Sequence, residues 1–174
     1  DLRVLLRGDP EIPGKVQARG FLSVLKIPEA KVPGEKSSGR MELANWMTSP
    51  KNPLTARVIV NRVWHWHFGK GLVATPDNFG LLGDRPSHPA LLDWLAAKFI
   101  EDDWSFKKLH RLILDSATWQ MSSSAQPEAV KRDPHNQFYS RAPIRRIEAE
   151  ALRDALLRIS NRLDTSLGGS TWNF

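Results

Sequence analysis

Residues Asn52 to Gln120 read NPLTARVIVNRVWHWHFGKGLVATPDNFGLLGDRPSHPALLDWLAAKFIEDDWSFKKLHRLILDSATWQ, and this stretch decides the fold. It holds five of the chain's seven tryptophans, Trp64, Trp66, Trp94, Trp104 and Trp119. Buried aromatic rings dominate core energetics, so a run this rich in them, punctuated by caps and glycine breaks, has to be ordered. Asn52 as N-cap and Pro53 at the first helical position open a helix that carries Val58, Ile59, Val63 and Trp64. Gly69 ends it with a left-handed cap. The β-branched Val58, Ile59 and Val60 also suit a strand, but the length and the caps favour a helix.

From Gly71 to Pro86 turn residues recur, Thr75-Pro76-Asp77-Asn78, Gly80, Gly83-Asp84 and Arg85-Pro86, which predicts a long ordered loop. Ser87 then caps a helix with Pro89 in its first turn, and Leu91, Leu92, Leu95 and Phe99 follow helical spacing. Ser105 caps the next, with Phe106, Leu109, Leu112 and Ile113 as its apolar stripe. Upstream, Ser38 is the expected N-cap of a helix to about Thr48 that buries Leu43, Met47 and Trp46 until Ser49-Pro50 stops it. Downstream, Ser122 to Pro134 is polar and broken by proline, a connector. A last helix from about Ile144 to Leu163 carries the stripe Leu152, Leu156, Ile159 and Leu163, with Asp154 and Arg158 at i,i+4 outside it, and Gly168-Gly169 ends the segment.

The expected fold is therefore mainly α, an irregular helical domain with an extended proline-rich N-terminal segment and long ordered loops. Pro10, Pro13, Pro28 and Pro33 interrupt every candidate helix before Ser38. This divides the chain into an extended leading segment, 1–37, whose apolar patches Val4 to Leu6 and Phe21 to Ile27 pack on the rest, and a helical domain, 38–174. The chain opens on Asp rather than Met, so the expectation is a part of a larger protein.

At 41% hydrophobic and 25% charged residues the composition is that of ordinary globular material. No stretch approaches the ~18 to 20 apolar residues of a membrane span, so no membrane insertion by this segment is expected. With no cysteine, disulfides, thiolate zinc sites and covalently attached haem are excluded within this piece. The net charge of +6 raises an anionic partner. It is spread evenly, 8 basic and 6 acidic residues in 1–50, 9 and 7 in 51–120, 8 and 6 in 121–174. Even spreading argues against nucleic acid, which selects concentrated charge.

Trp64-His65-Trp66-His67-Phe68-Gly69 is the sharpest local feature. Two histidines two apart on a helix point roughly 200° from each other, so His65 and His67 cannot share an ion unless the segment is extended. His88, His110 and His135 are the available further ligands, but no carboxylate-histidine motif at helical spacing accompanies them, and packing is the stronger expectation. Gly69-Lys70-Gly71 lacks the spacing of a phosphate loop and follows a helix instead of opening one, so it reads as a terminating turn. Arg57 and Arg62, with Asp77, Asp84 and Asp93 downstream, suit a structural ion-pair network better than bidentate ligand binding. Asp102-Asp103 reads as a solvated boundary between helices. Arg141, Arg145 and Arg146 sit ahead of the last helix, where positive charge asks for acidic partners such as Glu148 and Glu150. No G-x-S-x-G elbow occurs.

Taken together, NPLTARVIVNRVWHWHFGKGLV, TPDNFG, PSHPALLDWLA, WSFKKLHRLILDSATWQMSS and RRIEAEALRDALL followed by LGG resemble a planctomycete-type domain of unknown function, one found C-terminal to a c-type cytochrome domain. The resemblance implies an exported, extracytoplasmic multidomain parent, with haem in an upstream domain and no cofactor in this chain. It transfers no catalytic residue. The expectation is a noncatalytic interaction or assembly module whose partners are other domains of the same protein. The competing class is an enzyme or binding domain acting on anionic polysaccharide, for which Arg57, Asn61, His65 and Arg111 are the candidate polar site. Nucleic-acid binding is the third class, and it requires a contiguous basic face.

Overall fold

The computed structural model describes residues 2–25, 27, 34, 37–166 and 168. Expectations that fall on Pro28, Pro33 and Gly169 lie outside the described residues. These residues form a two-stranded hairpin, β1 (Leu2–Leu5) and β2 (Pro13–Gln17), then six helices, α1 (Arg40–Thr48), α2 (Thr55–Phe68), α3 (Pro89–Glu101), α4 (Phe106–Leu114), α5 (Pro127–Arg132) and α6 (Ala149–Ile159). The chain is mainly α. It divides into two compact units, Asp1–Ala142 and Pro143–Phe174.

In the first unit the core is built on α2. Its Ala56, Val60, Val63, Trp64 and Phe68 recur at helical spacing and pack with Leu92, Leu95, Ala96 and Phe99 of α3 and Leu109 and Ile113 of α4. Leu72 and Val73, just past α2, enter the same core at 1% and 2% exposure. The caps explain where α2 begins and ends. Asn52 Oδ1 accepts from the Leu54 and Thr55 amides at 3.0 and 3.4 Å, so Asn52 caps the approach and regular helix starts at Thr55 rather than at Pro53. Gly69 takes φ 78° and its N–H donates to the His65 carbonyl at 2.7 Å, the left-handed stop expected of it.

Several expected boundaries move. α1 has Gly39, at φ 79°, as its N-cap, while the Ser37 hydroxyl donates to Glu42. Leu43 and Met47 stay 45% and 46% exposed, because α1 buries no residue; half-buried Trp46 instead stacks on Phe21 at 5.3 Å. His88, not Ser87, is the N-cap of α3, because the Ser87 hydroxyl is drawn to the Leu72 carbonyl at 3.2 Å. Ser105 does cap α4, accepting from the Lys108 amide at 3.4 Å. The Ser122 to Pro134 connector contains α5, opened by Pro127 in its first turn. Val4, Leu5 and Leu6 are about half exposed, since the hairpin buries none of its strand residues.

In the second unit α6 is shorter than the periodicity suggests, Ala149–Ile159 instead of Ile144 to Leu163. Leu152, Leu156 and Ile159 are 48%, 60% and 84% exposed, so the stripe has the spacing of a buried face but is not one here.

Candidate functional site

Two of the four polar candidates, Arg57 and Asn61, are engaged by partners within the fold. Arg57, Asn61 and His65 occupy successive turns of one row of α2, and Arg111 lies exposed on α4. Arg57 Nε donates to Asp93 Oδ1 at 2.8 Å and its Nη1 to the Pro53 carbonyl at 2.6 Å, which ties α2 to α3 and to its own entrance. Asn61 is fully buried. Its Nδ2 donates to the Val73 carbonyl at 3.0 Å and its Oδ1 accepts from the Val73 N–H at 2.8 Å, so one side-chain amide pairs with a backbone residue as a neighbouring strand would. Gly71 makes this approach possible. A Cβ there would stand 2.5 Å from the Val73 carbonyl oxygen and 2.7 and 2.8 Å from the Asn61 amide atoms. The second glycine of Gly69-Lys70-Gly71 thus serves a close approach, as the first serves a turn. His65 Nδ1 is buried without a hydrogen-bond partner. Among the described residues no hydrogen bond or ion pair joins any two of the four.

The histidines find rings. His67 and His110 face each other, Nε2 to Nδ1 at 2.8 Å, one nitrogen donating and the other accepting as a bare lone pair. Trp119 sets its edge against both His67 and Phe68. Tyr139 completes the group: its hydroxyl accepts from Trp64 Nε1 at 2.8 Å, and its ring meets Trp64, Phe68 and His88. Burial pushes the Tyr139 phenol up from its ordinary value, and the Trp64 hydrogen bond opposes that shift. Tyr139 itself holds φ 52° in a turn built on Asn136, whose Nδ2 donates to the Arg141 carbonyl at 2.7 Å. The chain order gives no sign that a residue 75 positions away would close over Trp64.

A different feature stands at the surface. In the loop between α2 and α3, the Thr75 hydroxyl donates to the Asn78 carbonyl at 2.9 Å and accepts from the Asp84 N–H at 2.9 Å. Asn78 Oδ1 accepts from Gly80, and the Gly83 N–H donates to the Gly80 carbonyl. A side chain at Gly83 would run into the Asn78 backbone. Arg62 pairs with Asp77 at 2.7 Å from the flank of α2, Ser87 ties the loop's far end to Leu72, and Phe79 packs against the core. At the tip of this braced loop Leu81 and Leu82 stand 104% and 93% exposed. Two leucines between Gly80 and Gly83 obey neither helical nor strand periodicity, and that mismatch was the available signal.

A family of proteins of unknown function, PSD1 (DUF1553), matches residues 39–173. The chain belongs to the PSD1 family. The match takes in α1 to α6 and so every residue of the aromatic group and of the braced loop, while the hairpin precedes it. No curated protein and no solved structure matches the chain. Membership therefore brings this PSD1 chain no reaction and no ligand.

Proposed function

We propose that the chain is a noncatalytic interaction or assembly module, part of an exported multidomain bacterial protein of the planctomycete type in which a cytochrome region lies nearby. Any haem belongs to that region, and this segment works by contact with neighbouring domains. The export and cytochrome parts of the proposal rest on the sequence resemblance. The contact part rests on one observation, the pair Leu81 and Leu82 held in solvent by a braced loop. Burying a leucine is worth about 1.5 to 3 kcal/mol. A loop whose Thr75, Asn78 and Gly83 hydrogen bonds hold two leucines outward is preorganised for a partner, since the ordering cost of binding is already met. Three polar side chains of α2 are meanwhile engaged within the fold, Arg57 with Asp93, Asn61 with Val73 and Arg62 with Asp77.

The 174-residue chain has no cysteine, so Leu81→Cys gives a single thiol within this segment. A thiol-directed cross-linker applied to the native host is expected to join position 81 to a fixed segment of the same polypeptide or of one partner. Absence of any conjugate from a thiol that labels freely would refute the contact role. Turnover of a sulfated or uronic polysaccharide by the purified chain, lost in Arg57→Ala, would replace it with the enzyme.

A further inference from the structure

The sequence contains two aspartyl-prolyl bonds, Asp9-Pro10 and Asp133-Pro134, the second followed by His135. Such a bond is open to attack from within, because the aspartate carboxylate can close a five-membered ring on the carbonyl of its own residue. The structure surrounds the two bonds differently. The Asp133 carbonyl oxygen accepts from two donors, the Asn136 N–H at 3.1 Å and Arg141 Nη1 at 3.3 Å. Arg141 Nη2 also holds the next carbonyl, that of Pro134, at 2.9 Å, so one guanidinium spans the peptide. Asn136 fixes Arg141 in turn: its Nδ2 donates to the Arg141 carbonyl at 2.7 Å and its Oδ1 accepts from the Arg141 N–H at 3.3 Å. The two carboxylate oxygens of Asp133 accept from the Gln137 and Phe138 amides at 2.8 and 2.7 Å. Carbonyl, carboxylate and guanidinium are therefore held in one tight turn, in which Asn136 itself takes φ 51°. At Asp9, among the described residues, the carbonyl accepts only from the Ile12 N–H, at 3.2 Å, and no guanidinium reaches it.

We propose that the chain cleaves itself between Asp133 and Pro134. A carboxylate oxygen of Asp133 bonds to its own carbonyl carbon, and the displaced electron pair moves onto the carbonyl oxygen, where the Asn136 N–H and Arg141 Nη1 stabilise it. The tetrahedral centre then collapses: the carbon–nitrogen bond breaks, and the Pro134 nitrogen takes a proton from solvent and leaves as a secondary amine. Asp133 is left as a cyclic anhydride, which one water opens to the side-chain carboxylate and a new C-terminal carboxylate. The net change is hydrolysis of one peptide bond. The Phe138 N–H bond, joined by the Gln137 bond and by the positive charges of Arg141 and His135, outweighs desolvation and holds the Asp133 carboxyl below its ordinary value. The nucleophile thus stays ionised in mild acid, where a proton for the leaving nitrogen is at hand. The event occurs once per chain, so it is separate from turnover of a substrate and independent of the contact role proposed above. It cuts the covalent link between α5 and everything after it, including α6 and the second compact unit, Pro143–Phe174.

Intact-mass spectrometry of the 174-residue chain tests this, with the protein held folded in neutral and in mildly acidic buffer and, in parallel, unfolded in urea at the same acidity. The folded chain is expected to yield fragments 1–133 and 134–174, faster in the acidic buffer. Asp9-Pro10 is the internal control: in the folded chain Asp133-Pro134 should break at least about tenfold faster, since only its carbonyl has the two donors. Urea should remove that preference, because the turn that holds the donors is lost. Asp133→Asn should abolish the cut, and Arg141→Leu should slow it at least about tenfold. Pro134→Ala keeps the carboxylate, both donors and the carbonyl that Arg141 Nη2 holds, and changes only the leaving nitrogen; it should also slow the cut at least about tenfold. Near-ultraviolet circular dichroism of the Trp64 and Tyr139 contact shows whether each variant keeps the fold, and Pro134→Ala decides if Arg141→Leu does not. A folded chain that stays intact, equal cleavage at the two bonds, a cut faster in urea than in the folded chain, or a rate that Pro134→Ala leaves unchanged overturns the proposal.

Discussion

Gly71→Ala carries the sharpest prediction, because the added methyl has nowhere to go. A carbon approaches a carbonyl oxygen to about 3.3 Å at closest, whereas the Val73 oxygen lies 2.5 Å from the position the methyl would take. That oxygen has to retreat by roughly 0.8 Å. It is the acceptor of Asn61 Nδ2 at 3.0 Å, so the retreat breaks the bond, and Asn61 cannot follow because it is fully buried within α2. Overpacking costs about 1 to 3 kcal/mol, and a buried polar group left unsatisfied a further ~1 to 3 kcal/mol. The expected loss is roughly 3 to 5 kcal/mol, a large part of the ~5 to 15 kcal/mol that holds an ordinary domain together. Urea unfolding followed by tryptophan fluorescence measures it. Asn61→Ala should cost about 2 to 4 kcal/mol by orphaning the Val73 N–H and carbonyl. The double variant should cost less than the sum by at least about 1 kcal/mol, because both changes destroy the same contact. A Gly71→Ala loss below ~1 kcal/mol, or additivity of the pair, would contradict the reasoning.

Three further outcomes follow from named contacts. Tyr139→Phe removes the acceptor of the buried Trp64 N–H and should cost about 1 to 2 kcal/mol by thermal or urea unfolding. It should also flatten the alkaline limb of the stability curve: the native state favours the neutral phenol, so the wild type keeps that contribution below the unfolded tyrosine value near ~10 and loses it as pH rises through the higher folded value. Asn52→Ala should cost about 1 kcal/mol and fray the start of α2, visible as faster amide exchange at Leu54 and Thr55. Asp93→Asn should cost less than about 1 kcal/mol, since the Arg57 and Asp93 side chains are 34% and 58% exposed and Arg57 keeps its bond to the Pro53 carbonyl.

What was legible in the sequence follows from how local each signal is. The helical state of α2, its stop at Gly69, the cap at Ser105 and the stripe Leu92, Leu95 and Phe99 depend on residues within a turn or two of one another, and the structure has them. Ser38 and Ser87 show the limit of the same logic. A serine near a helix start competes for whatever carbonyl or amide tertiary structure brings close, and the Leu72 carbonyl draws Ser87 away from the α3 N-terminus. α6 shows another limit, because an apolar period states that a face can be buried without naming what buries it.

The candidate site was harder to read for a related reason. Arginine, asparagine and histidine on one helix row look like a binding face when only the helix is known. Two of the three are held by partners distant in the chain, Asp93 for Arg57 and Val73 for Asn61. His67 is likewise explained by His110, 43 residues on, and by Trp119. A hydrogen bond to a remote backbone group leaves no periodic trace, so polar residues that brace a fold and polar residues that bind a ligand are indistinguishable until those partners are placed. The leucines of the braced loop invert the problem. Their apolar character is plain in the sequence, and only the hydrogen bonds of Thr75 and Asn78, which hold the tip away from the core, turn two ordinary hydrophobic residues into a surface with something left to bury.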